Sequence, residues 1–291
     1  MGTTIALHLG SECTDGGVLI RSMLRSRSVL ADQSIVVPPP RHYRTLIRAA
    51  LAVLNGDTSG ADRVDRVLDE LVTSQTAERL VLFADRLICE PGQAIDGQLL
   101  YPLAPLRLAA FRALVPGRTI EFQMALCSPA ILVPALAAQS DASGTSMTGQ
   151  EARALSWLST VTEIIRTNPG IHMTLWCNED TPLIWPDVLR AISAYRGPAL
   201  LDGDNDLLSA LLTDTGYTSL ARSLIARPPV SAADRRNRIS TALEAHARPG
   251  SLEMDVTLPG WTTEDIEAIT ERYIADCAEI ARLPGVRFIS P

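Results

Sequence analysis

The chain contains no lysine; all 26 of its basic residues are arginine. That absence excludes a Schiff-base lysine, a lysine general base and a Walker-type lysine reaching a β- or γ-phosphate. Positive charge is also in deficit, with 33 acidic residues and a formal net charge of −7. No global basic field is available to collect nucleic acid or anionic lipid, so neither is expected as a partner. Aromatic residues make up only 4% of the 291, and the core must be assembled from Leu, Ile, Val and Ala. No apolar run approaches the roughly 20 residues of a membrane span. The short stretch Ile5–Leu9 lacks the basic segment that precedes the apolar part of a secretory signal. A cytoplasmic location is the expectation.

Cys13, Cys89, Cys127, Cys177 and Cys277 are dispersed, with no CxxC spacing, so neither a disulfide framework nor a structural zinc site is expected. His172 and Cys177 fall on one strand-like run at a spacing that sends their side chains to opposite faces. Asp202, Asp204 and Asp206 occupy positions one, three and five of a calcium loop. Leu207 and Thr213 stand where such a loop needs Gly and Glu, and turn acids before a helix are the better reading. No metal is expected. The GxSxG and HExxH motifs are absent.

Strand-like runs at Thr4–Leu9, Ser34–Val37, Arg79–Phe83, Thr119–Leu126 and Ile171–Cys177 alternate with helical patterns. Those patterns cover Val18–Ala31, Tyr43–Leu54, Arg63–Val72, Pro105–Val115, Pro129–Gln139, Glu151–Thr167 and Trp185–Tyr195, with a polar loop DASGTSMTG before Glu151. The alternation predicts an α/β fold: a three-layer α/β/α core over residues 1–196, with a parallel sheet of about five strands. Residues 197–291 read as a helical C-terminal extension packed on that core, with helices near Asn205–Leu212, Ala232–Ala247 and Thr262–Leu283 and a short VRFI run at the end.

In open α/β sheets the loop after the first strand is the usual phosphate cradle. Here it reads HLGSECTDGGVL, which satisfies neither the Walker spacing nor GxGxxG. It resembles the first loop of a sulfotransferase-like family that uses 3′-phosphoadenosine 5′-phosphosulfate, with His8, Gly10, Thr14 and Leu19 matching. RLVLFADRL resembles the family's strand before a Ser-x-Glu motif, with Asp85 near the acid. EFQMALCSPAILVPALAAQ, MTLWCNEDTPLIWPDVLRAI and the C-terminal TEDIEAITERYIADCAEIARLPGVRFISP resemble later family segments. The resemblance implies a P-loop NTPase-like fold and an ancestral sulfuryl-donor site on Gly10, Ser11, Cys13, Thr14, Gly16 and Gly17.

Against that pattern, Cys13 takes the place of the loop lysine, and Gly16 and Gly17 take those of two threonines. Cys127 and Pro134 replace the Arg and Ser that grip the 3′-phosphate, and Phe83 replaces the serine of Ser-x-Glu. A cation, hydroxyl donors and a bidentate grip are lost together. Glu12 and Asp15 add carboxylates to the loop; two like charges about 4 Å apart repel by roughly 1 kcal/mol in water and about 4 at an effective dielectric of 20. Asp15 is expected to cap the following helix itself.

The expectation is a degenerate member with no cofactor, serving as a binding or interaction protein for a small molecule or protein. Two alternatives stand beside it. One is an active transferase that cradles its donor with the backbone of Gly10–Gly17. The other is a small-molecule enzyme using Asp85 or Glu179 as base.

Overall fold

The structure, a computed structural model, describes residues 3–14, 16–54, 66–71, 77–90, 93–139, 147–198, 200–252 and 258–291. Its centre is a sheet of six strands. β1 (Thr4–His8), β2 (Ile35–Val36), β3 (Arg79–Phe83), β6 (Thr119–Leu126), β7 (His172–Cys177) and β8 (Val286–Ile289) lie in the order β2-β3-β1-β6-β7-β8. Every pairing in it is parallel. A separate antiparallel hairpin joins β4 (Ile95–Asp96) to β5 (Leu99–Leu100). The alternation of strand and helix was therefore a sound guide to class; the strand number was not. VRFI, short and at the end of the helical C-terminal third, becomes the sixth strand because β7 offers it a free edge.

The strands are apolar on both faces, as a parallel sheet covered by helices requires. Ile5 and Leu7 of β1 enter one hydrophobic cluster with Leu80, Leu82, Phe122, Met124 and Leu175; Ala6 enters a second with Val81, Ala125 and Trp176. Because successive side chains in a strand point to opposite faces, the clusters lie on opposite sides of the sheet. Helices α3 (Arg44–Val53), α4 (Ala104–Ala113), α5 (Pro129–Gln139), α7 (Trp157–Thr167) and α12 (Thr263–Ile280) contribute to the first. Helices α1 (Val18–Arg25), α2 (Arg27–Ala31), α8 (Thr181–Ser193) and α9 (Asp206–Leu211) cover the second. Trp157, Trp176 and Trp185 are all buried, and Trp261 is partly buried against the first cluster.

Two expected helices are each broken. The pattern Val18–Ala31 splits into α1 and α2 at Ser26, whose hydroxyl donates back to the Ser22 carbonyl (2.9 Å) and accepts from Gly203 N (3.1 Å). The pattern Glu151–Thr167 splits into α6 (Gly149–Ala152) and α7. Thr148 and Glu151 form a capping box on the first, and Ser156 caps the second through Ser159 N.

The segment after residue 196 has two destinations. Helices α9, α10 (Asp214–Ala226) and α11 (Ala232–His246) share a small core of Leu208, Leu212, Leu220, Ile239 and Leu243. By contrast, α12 buries Ile269, Tyr273, Cys277 and Ile280 in the main core, and β8 completes the sheet. Of the residues read as a C-terminal extension, the last two elements, helix α12 and strand β8, are thus part of the main core and its sheet. Helix α10 has no counterpart in the expected pattern. Most of the predicted loop DASGTSMTG and parts of Arg63–Val72 lie outside the described residues. Among the described residues, no helix is long and apolar enough to cross a membrane.

Candidate functional site

The register places His8 at the carboxyl end of β1 between Phe83 of β3 and Gln123 of β6. The chain leaves β1 toward one half of the sheet and later returns to the other, and crevices at such points are where open α/β sheets hold ligands. A cavity of about 460 Å³ opens there, lined by Gly10–Thr14, Gly16 and Gly17 of the loop, with His8, Phe83, Asp85 and Arg86 below and Leu19 and Ile20 of α1 beside them. Asp85 and the loop, singled out separately in the sequence, are therefore brought together. The approach is close: a Cβ on Gly10 would lie 2.7 Å from the Asp85 Cα, so only glycine fits.

Internal hydrogen bonds hold the loop. The Ser11 hydroxyl donates to the Ala125 carbonyl (2.6 Å) and Thr14 to the Ser11 carbonyl (2.9 Å). The Glu12 N–H donates to the Tyr101 hydroxyl (2.9 Å), and the Asn178 amide donates to the Cys13 carbonyl (3.5 Å). One loop N–H and two hydroxyls are thereby committed to the protein. Helix α1 begins after Gly17, which takes a left-handed conformation (φ 76°), with no side-chain cap among the described residues. Asp15, expected as that cap, lies outside the described residues.

The positions that carry the donor grip in the resembled family hold no charge here. Cys13 is half-buried, and burial, reinforced by Glu12, pushes its thiol up. Cys127 is fully buried; burial, Glu179 and Cys13 push its thiol far up, and its carbonyl accepts from the Trp157 indole (2.7 Å). Pro134 sits inside α5 and Phe83 is buried in β3, neither with a side-chain donor to offer. Carboxylates at Glu12 and Asp85 face this cavity with a single described guanidinium, that of Arg86.

Glu179 is not part of that lining. It lies in the turn Asn178–Asp180 after β7, where one carboxylate oxygen accepts from Ser128 N (2.8 Å) and the other from the Tyr273 hydroxyl (2.8 Å). The two candidate bases therefore serve different places: Asp85 faces the cavity, and Glu179 ties the end of β6 to α12. Asp180 beside it is held up by burial and by Glu179.

Two features escaped the sequence. Arg86 brings the cavity its cation one residue after the acid, with nothing in the local pattern to distinguish it from a solvated arginine. Gln123 is fully buried beside His8, and neither of its amide atoms has a hydrogen-bond partner among the described residues; the same holds for the Trp176 indole N–H. The His8 ring stacks against Trp176 (5.9 Å) and meets Phe83 edge-on (5.4 Å). A lone Gln inside the apolar run TIEFQMAL was the available signal, since buried amides normally have partners. A second cavity, of about 560 Å³ at the amino ends of the strands, is lined by Arg79, Arg190, Arg196 and Arg287. Its innermost cation, Arg79, is paired with Glu121 and bonded to the Ile192 carbonyl. No protein-family model, curated protein or solved structure matches the chain.

Proposed function

We propose that this is a three-layer, P-loop-type protein of sulfotransferase-like kind that no longer holds 3′-phosphoadenosine 5′-phosphosulfate. Its crevice serves binding or interaction in place of sulfuryl transfer. The strand order β2-β3-β1-β6-β7, with the loop following the central β1, supports the architectural part of the reading. The observation that carries the functional part is the sign of the cavity. Glu12 and Asp85 outnumber Arg86, and Cys13 and Cys127 are neutral thiols at the positions where a donor site needs cations. The residues present do not fit the donor, whose phosphates need charge-assisted donors. A ligand suited to this lining is neutral or cationic, rests on Leu19, Ile20 and Phe83, and meets the two carboxylates.

The direct functional test is incubation with the sulfuryl donor and a panel of phenol and alcohol acceptors. No sulfated product is expected above the protein-free control; turnover on any acceptor overturns the proposal. One observation favours the second reading, a donor cradled by the loop backbone. Gly16 and Gly17 are both left-handed, and the N-terminus of α1 has no side-chain cap among the described residues, an arrangement in which free N–H groups attract anions. That reading requires the backbone to outweigh Glu12 and Asp85.

A further inference from the structure

Beyond the cavity, the carboxyl end of β7 meets α12 through two thiols. Cys177 is the last residue of β7 and Cys277 lies on the buried stripe of α12 with Ile269, Tyr273 and Ile280. Their sulfurs are 3.5 Å apart, although the residues are 100 positions apart in the chain. Both cysteines are free. We propose that Cys177 and Cys277 form a reversible intramolecular disulfide, a modification site for low-molecular-weight disulfides such as oxidised glutathione.

Three observations carry this beyond mere proximity. The two elements are already docked, because Tyr273 of α12 donates to Glu179, two residues after Cys177 (2.8 Å). Closing from 3.5 Å to the bond length of about 2.05 Å therefore asks for side-chain adjustment within an existing contact. The two cysteines also differ in exposure: Cys177 is half-buried and reachable, whereas Cys277 is buried behind it. Their chemistry differs in the matching direction. The contact with Cys277 holds the Cys177 thiol below its ordinary range and Tyr273 helps, against burial and the weaker opposition of Asp180 and Glu179. The Cys277 thiol is pushed up by that same contact and by burial. Cys177 is the attacking group and Cys277 the resolving one.

The step balances as a two-stage exchange. The Cys177 thiolate attacks one sulfur of oxidised glutathione, the S–S bond breaks, and one glutathione thiolate leaves. Cys277 then gives its proton to solvent and attacks the Cys177 sulfur of the mixed disulfide, releasing the second glutathione. Two protein thiols are oxidised and one glutathione disulfide is reduced to two thiols; excess reduced glutathione reverses both stages. The bond would fasten α12 to the end of β7 beside Asn178, whose amide reaches the Cys13 carbonyl of the cavity loop.

The test is peptide mapping by mass spectrometry of the full chain after exposure to oxidised glutathione under native conditions. Expected are the loss of two of the five thiols, a mass loss of two hydrogens, a linked peptide pair containing Cys177 and Cys277, and reversal by reduced glutathione. Cys277→Ser is expected to stop at a single glutathionyl adduct on Cys177. Five unreacted thiols, a lasting adduct without a cross-link in the unmodified chain, or a bond between any other pair would overturn the proposal. The wild-type map decides the matter even if the serine variant does not fold.

Discussion

Gln123 is the residue whose cost is plainest. Its whole side chain lies in the sheet interior, and its amide finds no partner among the described residues. A buried amide without a hydrogen bond costs roughly 1–3 kcal/mol relative to an apolar group of the same shape. Gln123→Met is therefore expected to raise stability by about 1 kcal/mol, read from urea unfolding midpoints. A loss of 2 kcal/mol or more would show that the amide is already satisfied. Its neighbour in register, His8, lines the cavity, so the polarity that costs stability sits beside the place where a ligand would use it. Asp85 and Arg86 make the same point about legibility. Aspartate after an apolar strand was readable as a site acid, whereas an exposed arginine next to it carries no sequence signature. Its role follows only from the fold that turns it into the crevice.

At the scale of elements, hydroxyl and carboxylate caps decide where helices stop and start. Strands β1, β3, β6 and β7 were legible because near-continuous apolar runs bounded by polar turns have few other uses. The breaks at Ser26 and before Ser156 were not, because part of what stabilises them comes from far along the chain. Gly203 N reaches Ser26, and Asp276 accepts from the Ser156 hydroxyl (2.8 Å). Helix α12 shows the opposite case, a start readable as Thr followed by acids. Thr262 and Asp265 cap one another there, and Arg153 bonds Asp265 (2.7 Å). The bonds from Thr262, with help from Arg153, hold the Asp265 carboxyl below its ordinary range. A carboxyl lowered in the folded state contributes stability above its unfolded pKa of about 3.9, and that contribution is lost as pH falls through the folded value. The melting temperature of the wild type should therefore fall more steeply below about pH 4 than that of Asp265→Asn. Parallel curves for the two proteins between pH 5 and pH 2 would contradict this.

At the scale of the molecule, the fold places a loop, an acid and a cavity together at the carboxyl ends of β1 and β3. In the proposed reading, the chemistry of the loop has been rewritten within that frame. In that reading the absence of lysine matters most at Cys13, where a half-buried neutral thiol stands in place of the resembled family's cation. No arginine takes over at Cys127 or Pro134 either, and Glu12 and Asp85 set the sign of the opening. The organisation of the last third was legible only in part, because a four-residue strand can join a sheet only when a partner edge awaits it, and that edge is defined by β7. The proposed loss of the donor site is tested more directly by binding than by catalysis. The decisive measurement is calorimetric titration of the full chain with adenosine 3′,5′-bisphosphate. The expected result is no saturable heat at millimolar ligand, and saturable binding in the micromolar range would contradict it.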